Sequence, residues 1–353
     1  MKEKKYFELY KKIKEKIILR EYKKGQKLPS KRVMADMSGY SVITVEKAYN
    51  MLADEGYIMP KEKSGYFVCE LDFISDLKGD KKKKNIKYLN EENTSLYKSD
   101  FEYSVWIKTI RKVISEKGDL LFIKSPNKGC AVLRNAISDY LLRYRGMVAE
   151  PERIIIGSGA EQLYESVVKM LGRDKKYGIE KPSYEQIEAV YRSEGANIRK
   201  LKMGKDGIES KSLKNADIDV LHVTPFFSFP TNVTATLQKR YEYLKWAEKG
   251  RYIVEDDFNS EFFLPGQPLE SLYSLDRYER VIYINTFSKS LSSSMRIGYM
   301  ILPKKLVSEY DKKLGKFSCS VPVLDQYILA EFIAGGNFER HLNKVRRKLK
   351  FDT

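Results

Sequence analysis

The chain has little of what disulfide frameworks and metal centres require. Its 353 residues include three cysteines, Cys69, Cys130 and Cys319, which lie far apart and lack the paired spacing of zinc ligands. The two histidines, His222 and His341, are too few for a histidine-based metal centre, and we interpret both as ordinary structural or surface residues. The sequence therefore predicts neither a disulfide framework nor a metal site.

Long apolar segments are also missing. No apolar run approaches the roughly 20 residues that a membrane-spanning helix needs. The opening residues, Met-Lys-Glu-Lys-Lys, lack the apolar core of a signal peptide. Since 42% of the residues are apolar, the chain can still bury a substantial core, and it is long enough for two domains. We expect a cytoplasmic protein with no membrane partner.

Acidic residues are outnumbered by basic ones. Lys and Arg total 65 against 48 Asp and Glu, a net charge of +17, which favours a polyanionic partner. Lysine predominates and is spread along the whole chain, so the charge alone is weak support for nucleic-acid binding. The presence of a DNA-binding fold among these basic residues would decide whether the partner is nucleic acid.

Residues 1 to 70 have the pattern of such a fold. Apolar side chains recur at helical spacing from Tyr6 to Leu19, which predicts an amphipathic helix. Ser30 and Ser41 are suitable amino caps for two further short helices joined by a tight turn. Two apolar runs then flank residues 60 to 65, which predicts a two-stranded wing with a basic tip. This order is typical of a winged helix-turn-helix.

The same 70 residues resemble the GntR-type winged helix over nearly their whole length. Four matching motifs, Leu-Pro-Ser-x-Arg, Ser-x-x-Thr-Val, Ala-Tyr-x-x-Leu with Glu-Gly-Tyr-Ile, and Ser-Gly-x-x-Val, occupy Leu28 to Arg32, Ser41 to Val45, Ala48 to Ile58 and Ser64 to Val68. The resemblance implies binding to a double-stranded DNA operator through Ser30, Arg32, Ser41, Thr44, Lys61, Lys63 and Gly65. A three-helix module that contacts only proteins is the alternative.

The recognition helix departs from the GntR pattern at one place. Apolar Val42 and Ile43 follow its first serine, where a basic or polar residue is usual. Contacts with thymine methyl groups can replace hydrogen bonds there, so the resemblance implies DNA binding without indicating the operator sequence.

Residues 71 to 93 lose the helical periodicity and contain the run Lys81 to Lys84. Such a stretch is typical of a linker, with its lysines either solvated or touching phosphates beside the operator. In residues 94 to 353, apolar strands alternate with helical segments. This alternation predicts an α/β domain with a mostly parallel sheet wrapped by helices.

The second domain is organised around a lone lysine, Lys289, which stands among hydroxyl groups just after an apolar strand. Thr286 and Ser288 can donate hydrogen bonds, and Arg296 adds a guanidinium. These groups are expected of a Schiff-base lysine beside a phosphate cradle. An ordinary surface loop between two strands is the alternative.

Two upstream segments favour the Schiff-base interpretation. An apolar strand at residues 251 to 254 leads into Asp256, which places a carboxylate where open α/β sheets hold ligands. A pyridoxal ring needs such a carboxylate near its nitrogen. Residues 154 to 156 lead into a glycine turn, Gly157 to Gly159, and a helix start, which suits phosphate binding.

From about Phe101 onward the chain resembles the fold-type I aminotransferases, and as a whole it resembles the MocR branch of the GntR regulators. The resemblance implies a pyridoxal 5′-phosphate (PLP) site in which Lys289 forms the internal aldimine, Asp256 pairs with the pyridine nitrogen and Tyr184 stacks on the ring. The other cofactor contacts fall to Ser158, Gly159, Ala160, Thr286, Ser288 and Arg296. A homodimer is expected, because fold-type I sites are completed across a subunit interface.

Three departures from the aminotransferase pattern bear on activity. Phe227 and Ser228 replace a polar His-Gln pair, and Phe258 replaces a tyrosine that donates to the cofactor's phenolic oxygen. The family also continues well beyond Thr353, into a smaller domain whose arginine clamps the substrate carboxylate. We therefore expect an incomplete small domain and no efficient transamination, because that clamp positions the reacting carbon.

These features lead to three hypotheses. The first, which we favour, is a transcription regulator whose aminotransferase-like domain binds PLP at Lys289, senses PLP or an amino compound, and thereby changes the dimer geometry and the spacing of its DNA-binding domains. The second is a PLP-dependent aminotransferase with a DNA-binding appendage, using Lys289 as Schiff base and proton shuttle. The third is a truncated relic with exposed apolar surface.

Overall fold

The chain divides into two units in a computed structural model. One unit is Met1–Glu92 with Glu102–Lys112, and the other is Asn93–Phe101 with Val113–Thr353. The structure describes residues 5–18, 21–54, 57–61, 64–69, 101–258, 261 and 270–349. The predicted linker at residues 71–93 and the predicted DNA-binding residue Lys63 lie outside these ranges.

Within residues 5–69, the first unit combines three helices with a two-stranded antiparallel sheet. Its elements are α1 (Lys5–Ile18), α2 (Lys31–Ser38), α3 (Val42–Asp54), β1 (Ile58–Lys61) and β2 (Gly65–Val68). The Ser30 hydroxyl caps α2 by accepting a hydrogen bond from the Val33 N–H at 3.3 Å. Gly39 ends α2 in the left-handed region at φ 70°, which turns the chain towards α3. The predicted winged helix-turn-helix is confirmed.

The core of the first unit takes one apolar face from each helix. Leu9 and Ile13 of α1 cluster with Tyr49 and Leu52 of α3, and all four side chains are buried. The buried Tyr49 hydroxyl donates a hydrogen bond to the Pro29 carbonyl at 2.9 Å, so the polar end of this ring is also satisfied. These contacts bury the apolar stripe that predicted α1.

A mostly parallel sheet forms the centre of the second unit. Its strands are β3 (Ile154–Gly157), β4 (Lys176–Lys181), β5 (Asn197–Gly204), β6 (Gly207–Ile208), β7 (Val220–Val223), β8 (Tyr252–Asp256), β9 (Val281–Thr286) and β10 (Gly298–Ile301). Within the described residues these eight strands lie in the order β3-β10-β9-β8-β7-β4-β5-β6. β4, β5, β7, β8 and β9 run parallel, whereas β10 is antiparallel to both neighbours. The predicted α/β architecture is confirmed.

Helices cover both faces of this sheet. The remaining helices are α4 (Tyr103–Lys117), which begins in the first unit and ends in the second, and, within the second unit, α5 (Ala131–Tyr140), α6 (Ala160–Leu171), α7 (Glu185–Ser193), α8 (Ser210–Lys214), α9 (Leu237–Ala247), α10 (Leu272–Leu275), α11 (Phe287–Ser290), α12 (Lys304–Leu314), α13 (Val323–Ala334) and α14 (Asn337–Leu349). Successive strand residues belong to different cores: Ile282 clusters with α6, α7 and α12, whereas Val281 clusters with α9. This alternation explains why the strands are continuous apolar runs. In the part of the chain that the structure describes, no helix is long and apolar enough to cross a bilayer.

Glu180 is a buried carboxyl near the end of β4. The Ser228 hydroxyl donates to one of its oxygens at 2.6 Å, and the Thr224 N–H donates to the other at 3.2 Å. Burial is the main cause that raises the pKa of Glu180 to about 8. The folded protein therefore holds this proton at neutral pH, and the carboxyl group joins the β4 end to the loop that follows β7.

We expect Glu180 to lower stability as the pH rises. Its pKa goes from 4.5 in the unfolded chain to about 8 in the fold, so unfolding releases a proton between these values and the folded state is favoured at the acidic end. Glu180→Gln removes the proton and keeps the shape. Its unfolding free energy relative to the parent should rise by up to about 1.4 kcal/mol per pH unit in this window.

Urea unfolding of both proteins across this pH range measures the effect. Glu152→Gln, a change at an exposed carboxyl, is the control and should follow the parent. A difference between Glu180→Gln and the parent that does not vary with pH would contradict the expectation.

Candidate cofactor site and DNA-binding surface

A cavity of about 870 Å³ lies where the parallel strands end. Seven of the predicted cofactor residues line it, namely Ala160, Tyr184, Asp256, Thr286, Ser288, Lys289 and Arg296. They come from segments that are widely separated along the chain. The parallel strands β4, β8 and β9 bring Tyr184, Asp256 and the turn with Lys289 together because their carboxyl ends meet at one edge, and Arg296 lies just before the antiparallel strand β10. Ser158 and Gly159 immediately precede this lining in sequence.

Lys289 lies on α11, a single turn that follows β9 directly. Phe287 anchors this turn, since its ring is buried and packs against Phe338 with 5.4 Å between the ring centroids. The Lys289 ammonium lies 4.8 Å from the centroid of the Phe258 ring, and burial lowers the pKa of Lys289. A lower pKa increases the fraction of free amine, the form that attacks a carbonyl group. Lys289 is therefore part of the cavity wall and not of an ordinary surface loop.

Asp256 is the last residue of β8, and within the described part of the chain only one of its two carboxylate oxygens accepts a hydrogen bond. The Tyr164 hydroxyl of α6 donates a hydrogen bond to Oδ2. Oδ1 is buried and has no hydrogen-bond partner among the residues that the structure describes. A buried carboxylate oxygen at the wall of a cavity calls for a donor from a bound molecule. A protonated pyridine nitrogen is such a donor, so this residue fits PLP.

The glycine turn lies beside Arg296, which lines the cavity. Gly159 has φ 91°, and a Cβ atom added to it would lie 3.0 Å from a guanidinium nitrogen of Arg296. Glycine thus lets the backbone approach the guanidinium just before α6 begins. The Ser320 hydroxyl donates to Ser158 Oγ at 3.0 Å, and Arg296 pairs with Glu161. A helix amino end beside a guanidinium suits a phosphate group.

Aromatic rings also line the cavity. Tyr184 precedes α7 and meets Phe229 edge-on, with 6.2 Å between the ring centroids. Phe227 and Phe258 also line the cavity. Ser228 does not: it is buried and donates to Glu180. Of the two positions that depart from the aminotransferase pattern, Phe227 therefore lines the cavity, whereas Ser228 is buried and holds Glu180.

Three residues of the site were missed by sequence reasoning: Tyr164, Tyr191 and His222. His222 Nδ1 lies 2.8 Å from the Tyr191 hydroxyl, and Nε2 lies 3.8 Å from Asp256 Oδ2. A lone pair on Nε2 would repel the carboxylate, so we assign the tautomer in which Tyr191 donates to Nδ1 and the Nε2–H faces Asp256. His222, interpreted from the sequence as a structural or surface residue, is buried and faces Asp256 Oδ2, the oxygen that Tyr164 also holds.

The predicted DNA-binding residues within the described ranges all lie on the first unit. Ser41 Oγ accepts a hydrogen bond from the Thr44 N–H at 3.2 Å and lies 2.9 Å from Thr44 Oγ1. Arg32 is exposed on α2. In the wing, Lys61 stands opposite Gly65 in the register of β1 and β2. These positions are those of a helix-turn-helix with its wing.

Two family profiles match the chain. "Bacterial regulatory proteins, gntR family" matches residues 5–68, and "Aminotransferase class I and II" matches residues 89–352. The uncharacterized HTH-type transcriptional regulator YdeL of Bacillus subtilis (strain 168) is 34% identical over 351 residues, which cover 97% of this chain and 76% of YdeL. The chain belongs to the GntR regulators that carry an aminotransferase class I and II domain. The resemblance to their MocR branch is thereby confirmed.

Other members and structures add to this assignment of the GntR-aminotransferase family. PdxR of Corynebacterium glutamicum, an HTH-type pyridoxine biosynthesis transcriptional regulator, is 27% identical over 92% of this chain and 71% of its own length. The solved α-aminoadipate aminotransferase LysN of Thermus thermophilus is 28% identical, with a TM-score of 0.62, over 70% of this chain. The match covers 64% of LysN, so this chain spans less than two thirds of that enzyme.

Proposed function

We propose that this GntR-family regulator binds PLP at Lys289 and changes its DNA binding in response to PLP or an amino compound. The observation that carries the proposal is the convergence, around one cavity, of a lysine whose pKa is lowered by burial, the orphaned Asp256 oxygen and the Arg296 guanidinium. PdxR is similar over most of this chain, and its name links it to pyridoxine biosynthesis.

Each residue has a distinct role in this proposal. Lys289 is the point of covalent attachment, Asp256 Oδ1 accepts from the ring nitrogen, and Tyr184 stacks on the ring. When bound, PLP supplies an electron sink to an amine attached to it. The phosphate and neighbouring atoms are held by Ser158, Gly159, Ala160, Thr286, Ser288 and Arg296.

The regulatory step rests on a homodimer, the form in which operators with two-fold symmetry are bound. A ligand that favours one arrangement of the dimer changes the spacing of its two DNA-binding domains, and thus the affinity for an operator of fixed spacing. We place this activity in the cytoplasm, where the DNA is.

PLP-dependent transamination is a second candidate. It is favoured by the similarity to LysN and by the burial that lowers the pKa of Lys289, because a lower pKa increases the fraction of free amine that can accept a proton. Against it, Phe258 lines the cavity without a hydroxyl group to donate to the cofactor.

A PLP titration tests the proposal. Purified protein is titrated while its visible absorbance is recorded, reduced with borohydride and mapped by peptide mass spectrometry. DNA affinity is then compared with and without PLP and a panel of amino compounds. Labelled Lys289 together with a changed DNA affinity is the expected result. Steady turnover of an amino acid with an oxo acid would favour the second candidate, and unlabelled Lys289 would overturn both.

His222→Leu should weaken PLP binding by less than about tenfold, because it replaces an N–H that faces Asp256 Oδ2 at 3.8 Å, beyond hydrogen-bond distance, with an apolar group. Spectroscopic titration gives the affinity directly, without any turnover. His222→Gln, whose amide can still face the carboxylate, should restore most of the affinity. If the leucine and glutamine variants bind PLP equally well, His222 has no part in positioning Asp256.

A further inference from the structure

The first turns of the recognition helix α3 present branched apolar side chains to solvent. Ile43 is 67% exposed and Val42 is 42% exposed. Single exposed apolar residues are ordinary on protein surfaces. These two are adjacent, however, and they occupy the end of the helix that meets base edges in helix-turn-helix proteins.

The polar groups around them make contacts within the domain. The Ser41 and Thr44 hydroxyls lie 2.9 Å apart, and Ser41 also accepts from the Thr44 backbone. The Glu46 carboxylate pairs with Lys31 of α2. Beside these hydroxyls, the start of α3 offers apolar surface at Val42 and Ile43, and the part of a base edge that matches this surface is itself apolar.

We propose that Ile43, assisted by Val42, contacts thymine methyl groups in the major groove, so that the operator carries A·T pairs beneath the start of α3. The C5 methyl of thymine is the apolar group that this groove displays. The proposal rests on the DNA binding of the GntR family and is independent of PLP.

The rest of the exposed face supports DNA as the occupant. Lys47 and Asn50 follow Ile43 at helical spacing and are exposed. A lysine suits a phosphate or a guanine, and an asparagine amide matches the adenine edge of an A·T pair. Residues 1 to 70 contain 16 Lys and Arg against 10 Asp and Glu, so the domain attracts a polyanion.

Deoxyuridine substitution tests the proposal because it removes only the methyl group. The full chain first selects binding sites from a random duplex library, and each thymine in the selected site is then replaced singly by deoxyuridine. Fluorescence anisotropy should show about a fourfold loss of affinity at one or two positions per half-site, the amount expected for one buried methyl.

Ile43→Ser locates the contact. This variant should bind the thymine duplex more weakly than the parent does, and it should bind the thymine and deoxyuridine duplexes with equal affinity. Ile114→Ser, which alters a 51% exposed isoleucine on α4, should retain the fourfold difference. Ile43→Ala, the gentler change, gives the same comparison if the serine variant folds poorly.

Four results would overturn the proposal. In the first, deoxyuridine at every position leaves the DNA affinity of the parent protein unchanged. In the second, Ile43→Ser keeps the full difference in affinity between the thymine and deoxyuridine duplexes. In the third, Ile43→Ser binds DNA with the affinity of the parent but has a different oligomeric state in light scattering, which would show that Ile43 contacts protein. Failure to select any duplex would remove the DNA binding on which the proposal rests, whereas failure of PLP binding would leave it intact.

Discussion

Replacement of Lys289 by alanine should reduce borohydride-fixed PLP to background. The side chain lies at the cavity wall, 4.8 Å from the Phe258 ring, with a pKa that burial lowers. Its amine is the proposed attachment point, and alanine cannot form that bond. Absorbance after dialysis and mass spectrometry of the reduced protein measure the loss. Lys304→Ala, which removes an exposed lysine at the start of α12, should label like the parent.

DNA binding shows whether this loss is confined to the second unit. Lys289→Ala should still bind duplex DNA in the absence of PLP, because the helix-turn-helix belongs to the other unit. Arg32→Ala should do the reverse, labelling normally with PLP while losing about tenfold in DNA affinity, the effect of one charge-assisted contact. Borohydride-fixed PLP in Lys289→Ala would show that another amine is the attachment point.

The apolar strands could be predicted because the sheet buries both of its faces. Val281 and Ile282 point to different cores, and both cores are apolar, so β9 is a continuous run that needs no alternating pattern. The residues just after such runs could be predicted as site residues because they follow the ends of parallel strands. Parallel strands bring their carboxyl ends to one edge, whichever order the chain follows.

The contacts of His222 and Tyr164 with Asp256 could not be predicted from the local sequence pattern. His222 comes from β7 and Tyr164 from α6, and they meet Asp256 through the strand register and the packing of α6. Nothing in the residues adjacent to His222 indicates that partner. The helical turn that carries Lys289 was also not evident, because four residues are too few to show a helical period.

Loss of Arg145 should be among the most destabilising single changes in the second unit. Its guanidinium lies 3.0 Å from the Asp257 carboxylate, with side-chain exposures of 8% and 0%. The Tyr283 hydroxyl donates to the same oxygen at 2.9 Å. Arg145→Met would remove the guanidinium that pairs with this buried carboxylate, at a cost of about 3–5 kcal/mol in the free energy of unfolding. Urea unfolding measures this loss.

The double variant Arg145→Met/Asp257→Asn tests whether the unpaired charge is the cause. Because asparagine is neutral and can still accept from Tyr283, the double variant should recover a large part of the loss, and the cycle of single and double variants should give strong coupling. Asp257 directly follows Asp256, so the single Arg145 variant should also bind PLP more weakly and the double variant should recover. Equal stability of the single and double variants would instead attribute the loss to missing packing around the arginine stem.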